Sequence, residues 1–360
     1  MKITSIESWS QPVRLKRPYS IAGHRKTDVT LHFARILGNG VHIGLGSASP
    51  SQRVTGESAD ACQAALDGAS RLWTGKSLAS VDDLAALAGP LTREMQSTPA
   101  AQAALDMALW DLLGHHLGRP VVRLLDGSGE HAPRPTSITI GIQSVERTLE
   151  SAREYLERGF RCIKIKLGDD VDEDIERLHR LRETVGAGVA IRADANEGYD
   201  ERALRRVLPV LDTLDIEFLE QPMSRDDEAI LESLSDEERR RVALDESVQR
   251  PIDAVRWEQS ESNCGTWVVK LMKCGGITPA MEIAEAADRC GTTLMWGCMD
   301  ESVISIAASL HAASASRATR YLDLDGSFDL AEDPASGGFT LRDGMLSLTD
   351  RPGLGVATST

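Results

Sequence analysis

Eight short β-branched stretches in the second half of the chain decide the fold. They read TSITIG (136–141), RCIKIKLG (161–168), VAIRADAN (189–196), IEFLEQP (216–222), RVALDES (241–247), TWVVKLMKCGG (266–276), TLMWGCM (293–299) and TRYLDLDG (319–326). Corresponding positions near their ends are 25 to 28 residues apart, and amphipathic helical patterns fill the intervals. A parallel strand with its crossover helix needs about this length. Eight such units without a helix after the last predict an α/β fold, a closed (β/α)7β barrel.

The first part of the chain has a different pattern. Residues 28–49 alternate in two runs around Gly-Asn-Gly, which predicts an antiparallel hairpin, and residues 100–118 have helical periodicity. We predict an α+β domain over residues 1–130, with the proline-containing HAPRPTS (131–137) at the boundary. The barrel is predicted over residues 131–325, and the tail over 326–360 is predicted to return to the first domain.

Composition excludes several classes of function. The 360 residues include 55 Asp and Glu against 40 Lys and Arg, and a net charge of −15 would repel nucleic acid and anionic lipid. The six cysteines form no CxxC pair and no zinc-like spacing, which favours reduced thiols. Neither a membrane span nor an apolar signal segment is visible, so we predict a cytoplasmic protein with no nucleic-acid or membrane partner.

Carboxylates stand at the predicted carboxyl ends of three consecutive strands. Asp194, Glu220 and Asp245 form an oxygen-ligand set suited to one Mg²⁺ per subunit. Taken singly, each could instead cap a helix or pair with a lysine. Because strand side chains alternate, only one of Asp245 and Glu246 can face inward. We assign Asp245 to the metal and place Glu246, with Asn196, beside the ligands.

Lysines flank this set. Lys164 and Lys166 share one strand face, and Lys270 comes from the sixth strand, across the carboxylates. We predict Lys166 and Lys270 as the catalytic bases, and Lys164 as a contact to the substrate anion that also lowers the pKa of Lys166. Lys273 is assigned to the solvated surface lysines. A metal with a base on each face suits removal of a proton α to a carboxylate and its return on the other side, which is racemase or epimerase chemistry.

These residues, in this order and over nearly the whole chain, resemble the enolase superfamily and specifically its muconate-lactonizing-enzyme-like subgroup. The resemblance implies the same roles for the two bases and the three metal ligands. The first domain resembles the capping domain of that family. Its two loops over the barrel would be IAGHRKTD (21–28) and SASPSQRVTGE (47–57).

The end of the eighth stretch narrows the resemblance. Asp323 and Asp325 of YLDLDG are similar to the DxD motif of dipeptide epimerases, which binds the α-ammonium of the substrate. MWGCMDES (295–302) and SFDLAEDPASGGFTLRDG (327–344) are also similar to that family. The resemblance implies an isomerase acting on a dipeptide, which inverts the α-carbon of its C-terminal residue through an enediolate by 1,1-proton transfer.

The side-chain preference of such an enzyme is left open by the sequence. Arg25 and Lys26 in the first capping loop could bind an acidic side chain of the substrate. Asp300 and Glu301, after the seventh strand, could instead bind a cationic one. Arg25, Met299 and Asp300 are therefore candidate substrate contacts.

Other functions fit parts of the pattern. Within the subgroup, an N-acylamino acid racemase, an o-succinylbenzoate synthase or a cycloisomerase would keep the same lysines and carboxylates. A Schiff-base aldolase would use Lys166 or Lys270 without a metal. A peptide-binding barrel without chemistry should have lost a ligand or a base, and none is missing. Barrels of this kind commonly assemble, so we predict a homo-oligomer.

Overall fold

The N-terminal part contains an antiparallel sheet of three strands in the order β1-β2-β3. The computed structural model describes residues 1–21, 24–39, 41–125 and 131–358, without the side chains of residues 18–21, 24 and 25. The strands are β1 (Ile3–Ile21), β2 (His24–Gly38) and β3 (His42–Ala48). Asn39, with φ of 50°, lies between β2 and β3, which confirms the predicted hairpin.

Helices cover this sheet. They are α1 (Ala59–Gly68), α2 (Ser70–Trp73), α3 (Val81–Glu94), α4 (Pro99–Leu117) and α5 (Val121–Leu125). Every residue of α4 from Pro99 to Gly114 is buried, because the helix lies between β3 and the barrel. On the barrel side, Trp110 Nε1 donates to Thr278 Oγ1 at 3.0 Å, and Asp106 accepts from the Thr278 amide at 3.0 Å.

The predicted barrel is confirmed. After the short β4 (Arg134–Pro135), eight parallel strands follow in chain order around one sheet. They are β5 (Ile138–Ile140), β6 (Cys162–Lys166), β7 (Ala190–Asp194), β8 (Ile216–Glu220), β9 (Val242–Leu244), β10 (Thr266–Val269), β11 (Thr293–Trp296) and β12 (Thr319–Leu322). The ring closes where Thr136 forms a parallel bridge with Leu322, just before β5.

Each of the seven crossovers contains helix. These helices are α6 (Val145–Glu157), α7 (Val171–Val185), α8 (Glu201–Thr213), a 3₁₀ helix (Arg225–Ser233), α9 (Asp236–Arg240), α10 (Pro251–Glu258), α11 (Leu271–Cys274), α12 (Ile277–Cys290) and α13 (Val303–Ala315). The four-residue α11 begins directly after Lys270. It therefore turns the chain at the carboxyl end of β10.

The described residues beyond β12 form strands and no helix. The strands are β13 (Ala335–Gly337), β14 (Phe339–Arg342), β15 (Met345–Leu348) and β16 (Val356–Thr358). This tail contacts the N-terminal part, where Leu330 bridges to Leu15 and the Leu354 amide donates to Asp111 Oδ1 at 2.6 Å. The domain boundaries at residues 130 and 325 stay a prediction.

An apolar layer fills the barrel beneath its carboxyl end. Phe218, Ala243, Val268 and Met295 pack together with Tyr321. Because strand side chains alternate, the residues two positions further along these strands face the same interior. Those positions carry Glu220, Asp245, Lys270, Gly297 and Asp323. The apolar layer is thus the floor of a polar site.

The cysteines are unpaired and the helices are not of the membrane-spanning kind in the described residues. None of the six cysteines is in a disulfide. Within the described ranges, no helix is both long enough and apolar enough to span a bilayer.

Glycines allow β3 to lie directly on α4. A Cβ on Gly46 would stand 1.8 Å from the carbonyl oxygen of Ala104, and one on Gly44 would stand 2.1 Å from that of Ala108. Real atoms cannot approach so closely. The strand and the helix are therefore in backbone contact at these two positions.

We predict that Gly46→Ala lowers the free energy of unfolding by about 3 kcal/mol, because β3 and α4 must move apart. The control is Gly68→Ala at the end of α1, where no atom lies within 4 Å of the added Cβ. That change should be neutral or stabilise by up to about 1 kcal/mol. Urea unfolding followed by circular dichroism compares the two. Equal midpoints would contradict the close packing of β3 on α4.

Candidate active site

The predicted site residues converge at the carboxyl end of the barrel. Lys166, Asp194 and Glu220 are the last residues of β6, β7 and β8, and three others follow directly after their strands. These three are Asp245, Lys270 and Asp323. Lys166 is half-buried, and six other site residues are each at most 6% exposed: Lys164, Asp194, Glu220, Asp245, Lys270 and Asp323.

Lys164 lies among three carboxylates. Its Nζ is 3.0 Å from Asp194 Oδ2, 2.7 Å from Glu220 Oε2 and 2.9 Å from Asp323 Oδ2. Burial alone would lower the pKa of Lys164, but attraction to Asp194, Asp323 and Glu220 outweighs it and holds the pKa well above its usual value. Lys164 is therefore a fixed positive charge inside the barrel.

The two predicted bases stand on opposite sides of the ring. Lys166 Nζ is 2.6 Å from Asp194 Oδ2 and 2.8 Å from Asn196 Oδ1. Lys270 Nζ is 2.5 Å from Asp245 Oδ2. Since β6 and β10 are four strands apart in a ring of eight, Lys166 and Lys270 approach the axis from opposite directions.

The carboxylates keep Lys270 charged. Burial by itself would lower the pKa of Lys270, but the Asp245 carboxylate outweighs it and raises the pKa above its usual value. A lysine that is to act as a base needs a lower pKa. Additional positive charge near Asp245 would move the Lys270 pKa in that direction.

Asp194, Glu220 and Asp245 fit a hard divalent cation. Among the described residues, Glu220 Oε1 is buried without a hydrogen-bond donor, and Glu220 Oε2 is buried with the Lys164 ammonium at 2.7 Å. Burial raises the pKa of Glu220 to about 8, and Asp194 adds to the shift. A buried carboxylate oxygen without a donor needs a positive charge nearby, which Mg²⁺ would supply through oxygen coordination.

The carboxylates of Asp194, Glu220 and Asp245 are not arranged in this structure as three ligands around one metal position. Within the described ranges, no group of three or more His, Cys, Asp or Glu side chains meets the geometry of a metal site. The Lys164 ammonium lies between Asp194 and Glu220. A divalent cation would compete with this ammonium for the two carboxylates.

Asn196 and Glu246 lie beside these ligands. The Asn196 amide donates to Asp194 Oδ1 at 2.9 Å, and Asn196 Nδ2 lies 3.5 Å from Glu246 Oε1. Asn196 Oδ1 also accepts from Lys166 Nζ, so Asn196 contacts Asp194, Lys166 and Glu246. Burial raises the pKa of Glu246 to about 7.

The two aspartates after β12 lie close together and have different partners. Asp323 accepts from Ser137 Oγ at 2.5 Å and pairs with Lys164. Asp325 accepts from the Thr139 amide at 2.7 Å. Burial raises the pKa of Asp325 to about 7, and repulsion from Asp323 contributes. Two carboxylates this close favour a positive charge beside them.

The assignment of Lys273 to the solvated surface was wrong. Lys273 is 2% exposed, and its Nζ contacts the Asp245 carboxylate and the Asp245 carbonyl oxygen. It lies three residues after Lys270, so the short helix α11 brings both lysines to the same aspartate. The apolar neighbours in KLMKCGG were the available signal.

Arg192 and Ser137 were missed. Arg192 Nη1 lies 3.3 Å from Ser137 Oγ, which in turn donates to Asp323. Arg192 is also paired with Glu217, its Nε 2.7 Å from Glu217 Oε2. Strand alternation could have found Arg192, because it stands two residues before Asp194 and shares its face.

At the rim, the loop after β11 meets the N-terminal part. Lys26 Nζ is 2.6 Å from Asp300 Oδ2, and Ser49 Oγ donates to the Asp300 carbonyl at 2.7 Å. Met299 is half-buried beside them, and its amide donates to Glu301. The side chain of Arg25 lies outside the described residues, so its assignment stays a prediction.

Comparison with known proteins places the chain in a family. Residues 147–359 match the family model "Enolase C-terminal domain-like". Residues 4–126 match "Mandelate racemase / muconate lactonizing enzyme, N-terminal domain". Together the two models span nearly the whole chain.

Individual relatives agree with these models. The chain is 47% identical to an L-Lys-D/L-Arg epimerase from Methylococcus capsulatus, with 99% of each chain covered. It is 33% identical to an L-Ala-D/L-Glu epimerase from Bacillus subtilis, covering 99% of this chain and 97% of that protein.

A solved structure shows the same likeness in three dimensions. It is the Methylococcus capsulatus dipeptide epimerase complexed with Mg and the dipeptide L-Arg-D-Lys. That structure matches with a TM-score of 0.95 and 47% identity, over 99% of this chain and 100% of its own. The chain therefore belongs to the enolase superfamily, in the group of mandelate racemase and muconate lactonizing enzyme, and there to the dipeptide epimerases.

Proposed function

We propose that this chain is an Mg²⁺-dependent dipeptide epimerase that inverts the α-carbon of the C-terminal residue of its substrate. The observation that carries this conclusion is the pair of lysines, Lys166 and Lys270, on opposite sides of a ring that also holds three buried carboxylates. One base alone supports proton exchange, whereas two opposed bases support inversion. The relatives named above share this class of reaction.

Asp194, Glu220 and Asp245 are the residues that would hold Mg²⁺. When bound, the ion supplies positive charge that stabilises the second negative charge developing on the substrate carboxylate as the α-proton leaves. Lys164 would give up its contacts to Asp194 and Glu220 if a cation took these two carboxylates. Its ammonium can then contact the substrate carboxylate, while Asp323 remains as its protein partner.

Inversion uses one lysine to remove a proton and the other lysine to donate one. A neutral amine at Lys166 or Lys270 removes the α-proton from one face and becomes an ammonium. The ammonium of the opposite lysine then donates a proton to the other face and becomes the amine. The bases exchange roles when the reaction runs in the opposite direction, as inversion requires.

Asp323 and Asp325 provide the counter-charge for the substrate ammonium. In a dipeptide, that ammonium lies one residue away from the reacting carbon, whereas in a free amino acid it is attached to the same carbon. Two carboxylates fixed at the end of β12 can therefore select for substrate length. Asp325 is the more accessible of the two.

The pairing of Lys26 with Asp300 favours substrates with cationic side chains. Asp300 already holds a lysine ammonium at 2.6 Å at the rim of the site. A substrate lysine or arginine can make the same contact when Lys26 moves aside. The net charge of −15 also favours encounter with cationic dipeptides. The preference for a basic dipeptide agrees with the 47% identity to an L-Lys-D/L-Arg epimerase.

Assembly as a homo-oligomer and a cytoplasmic location stay predictions. Sedimentation equilibrium of the purified chain tests the first, and cell fractionation tests the second.

Removing either base should abolish inversion. We expect Lys166→Met and Lys270→Met each to reduce epimerisation of L-Lys-L-Arg by about 10²- to 10⁴-fold, because a positioned base or acid is lost from one face. The assay is uptake of solvent deuterium at the α-carbon together with the appearance of the L-D epimer. Lys76→Met at an exposed position is the control and should be unchanged. Full activity in either site variant, or in EDTA, would contradict the mechanism.

The substrate ammonium should depend on Asp325. Asp325→Asn removes one charge-assisted hydrogen bond, so kcat/KM for the dipeptide should fall by about 10- to 100-fold. The same dipeptide with an acetylated amino terminus carries no ammonium, so its kcat/KM should be equal in the wild type and in Asp325→Asn. Steady-state kinetics on both substrates give the ratio. An equal loss of kcat/KM on the free and the acetylated dipeptide would show that Asp325 does not bind the ammonium.

Side-chain preference should depend on Asp300 and Lys26. Asp300→Asn is expected to lower kcat/KM for L-Lys-L-Arg by about 10-fold or more, with little effect on L-Ala-L-Leu. Lys26→Met should lower KM for the basic dipeptide a few-fold, because a tethered competitor is removed. The same kinetics on the two dipeptides separate these effects. A parallel loss on both substrates in the Asp300 variant would refute the assignment.

A further inference from the structure

Lys273 is a buried charge for which the proposed reaction has no use. It lies in α11 with 2% exposure. Its Nζ contacts the carboxylate of Asp245 and three backbone carbonyl oxygens: Asp245 at 2.6 Å, Val248 at 3.0 Å and Val268 at 3.1 Å. Four acceptors for an ammonium with three hydrogens leave it no donor to spare for the substrate.

The contacts of Lys273 fix the orientation of one carboxylate. Asp245 has one oxygen, Oδ1, on Lys273 and the other, Oδ2, on Lys270 at 2.5 Å. Because Lys273 also holds the carbonyl oxygen of the same residue, neither the backbone nor the side chain of Asp245 can rotate freely. Asp245 therefore presents Oδ2 to Lys270 while Lys273 holds Oδ1.

The same ammonium connects three segments around the site. The carbonyls of Asp245 and Val248 belong to the segment after β9, and that of Val268 belongs to β10. Lys273 itself lies in the helix that starts directly after Lys270. A single buried group therefore ties the segment that carries Asp245 to the turn that carries Lys270.

We propose that Lys273 is a positioning residue that holds Asp245 in the orientation required to bind Mg²⁺. The inference rests on the proposed function, because it assumes that Asp245 is a metal ligand. Lys273 acts through Asp245 and does not touch substrate. A partner that orients a ligand in this way typically changes metal affinity by about 10- to 100-fold when it is removed.

A purely electrostatic role and a positioning role of Lys273 predict opposite changes in Mg²⁺ affinity when Lys273 is removed. Lys270 and Lys273 each place one ammonium on Asp245, so removal of either leaves the carboxylate more negative. If charge alone mattered, both Lys270→Met and Lys273→Met would tighten the binding of a cation. If Lys273 positions Asp245, its removal weakens Mg²⁺ binding although a competing positive charge is lost.

The test is titration calorimetry of the full chain with MgCl₂, for the wild type, Lys273→Met and the matched variant Lys270→Met. We expect Lys273→Met to weaken Mg²⁺ binding by about 10- to 100-fold and Lys270→Met to leave it equal or tighter. In saturating Mg²⁺, Lys273→Met should regain part of its kcat, whereas Lys270→Met should regain none. Unchanged or tighter binding in Lys273→Met would overturn the proposal.

A loss of Mg²⁺ binding in Lys273→Met must be distinguished from a loss of folding. Removing one partner of a buried pair is destabilising, so near-ultraviolet circular dichroism establishes that Lys273→Met is folded. If it is not, Lys273→Gln, which keeps an N–H donor, replaces it, and a smaller weakening of Mg²⁺ binding is expected, because part of the positioning contact is kept. Wild-type chain that neither binds Mg²⁺ nor epimerises a dipeptide would overturn the proposed function and this proposal together. Normal wild-type binding with unchanged variants would overturn only the role of Lys273.

Discussion

The compensation of buried charge at the carboxyl end of the barrel is the constraint on which this structure depends. Ionised groups removed from water cost several kcal/mol each unless they are paired. Lys164 meets this requirement by contacting Asp194, Glu220 and Asp323 at 2.7 to 3.0 Å. A divalent cation would meet it in a similar way. Asp194 and Glu220 would therefore serve either the Lys164 ammonium or a bound divalent cation.

Precision at this site also depends on the N-terminal domain. Helix α4 lies against the turn that follows Lys270, where a Cβ on Gly275 would stand 2.5 Å from Gln102 and one on Gly276 would stand 2.5 Å from Asp106. Asp106 also accepts from the Thr278 amide at the start of α12. Helix α4 thus holds the short helix with Lys273 in place, and Lys26 and Ser49 of the same N-terminal part contact Asp300 at the rim.

Much of the fold and the central residues could be predicted from the sequence, because each depends on local periodicity. Strand β9 ends at Leu244, directly before Asp245, and the eight strands repeat at nearly constant intervals. Lys273 was misplaced, because the four-residue α11 carries no periodic signal and the apolar neighbours of Lys273 were the available sign of its burial. The pairing of Lys26 with Asp300 joins segments far apart in the chain, so the sequence alone supported two opposite substrate preferences.

The most direct test of this account is a crystal structure of the chain with Mn²⁺ and L-Lys-L-Arg, with the metal located by anomalous scattering. We predict a metal peak bounded by Asp194, Glu220 and Asp245, with the Lys164 ammonium moved off the first two. The α-carbon of the C-terminal residue should lie between Lys166 Nζ and Lys270 Nζ. A metal bound elsewhere, or both lysines on one side of that carbon, would contradict inversion by two opposed bases.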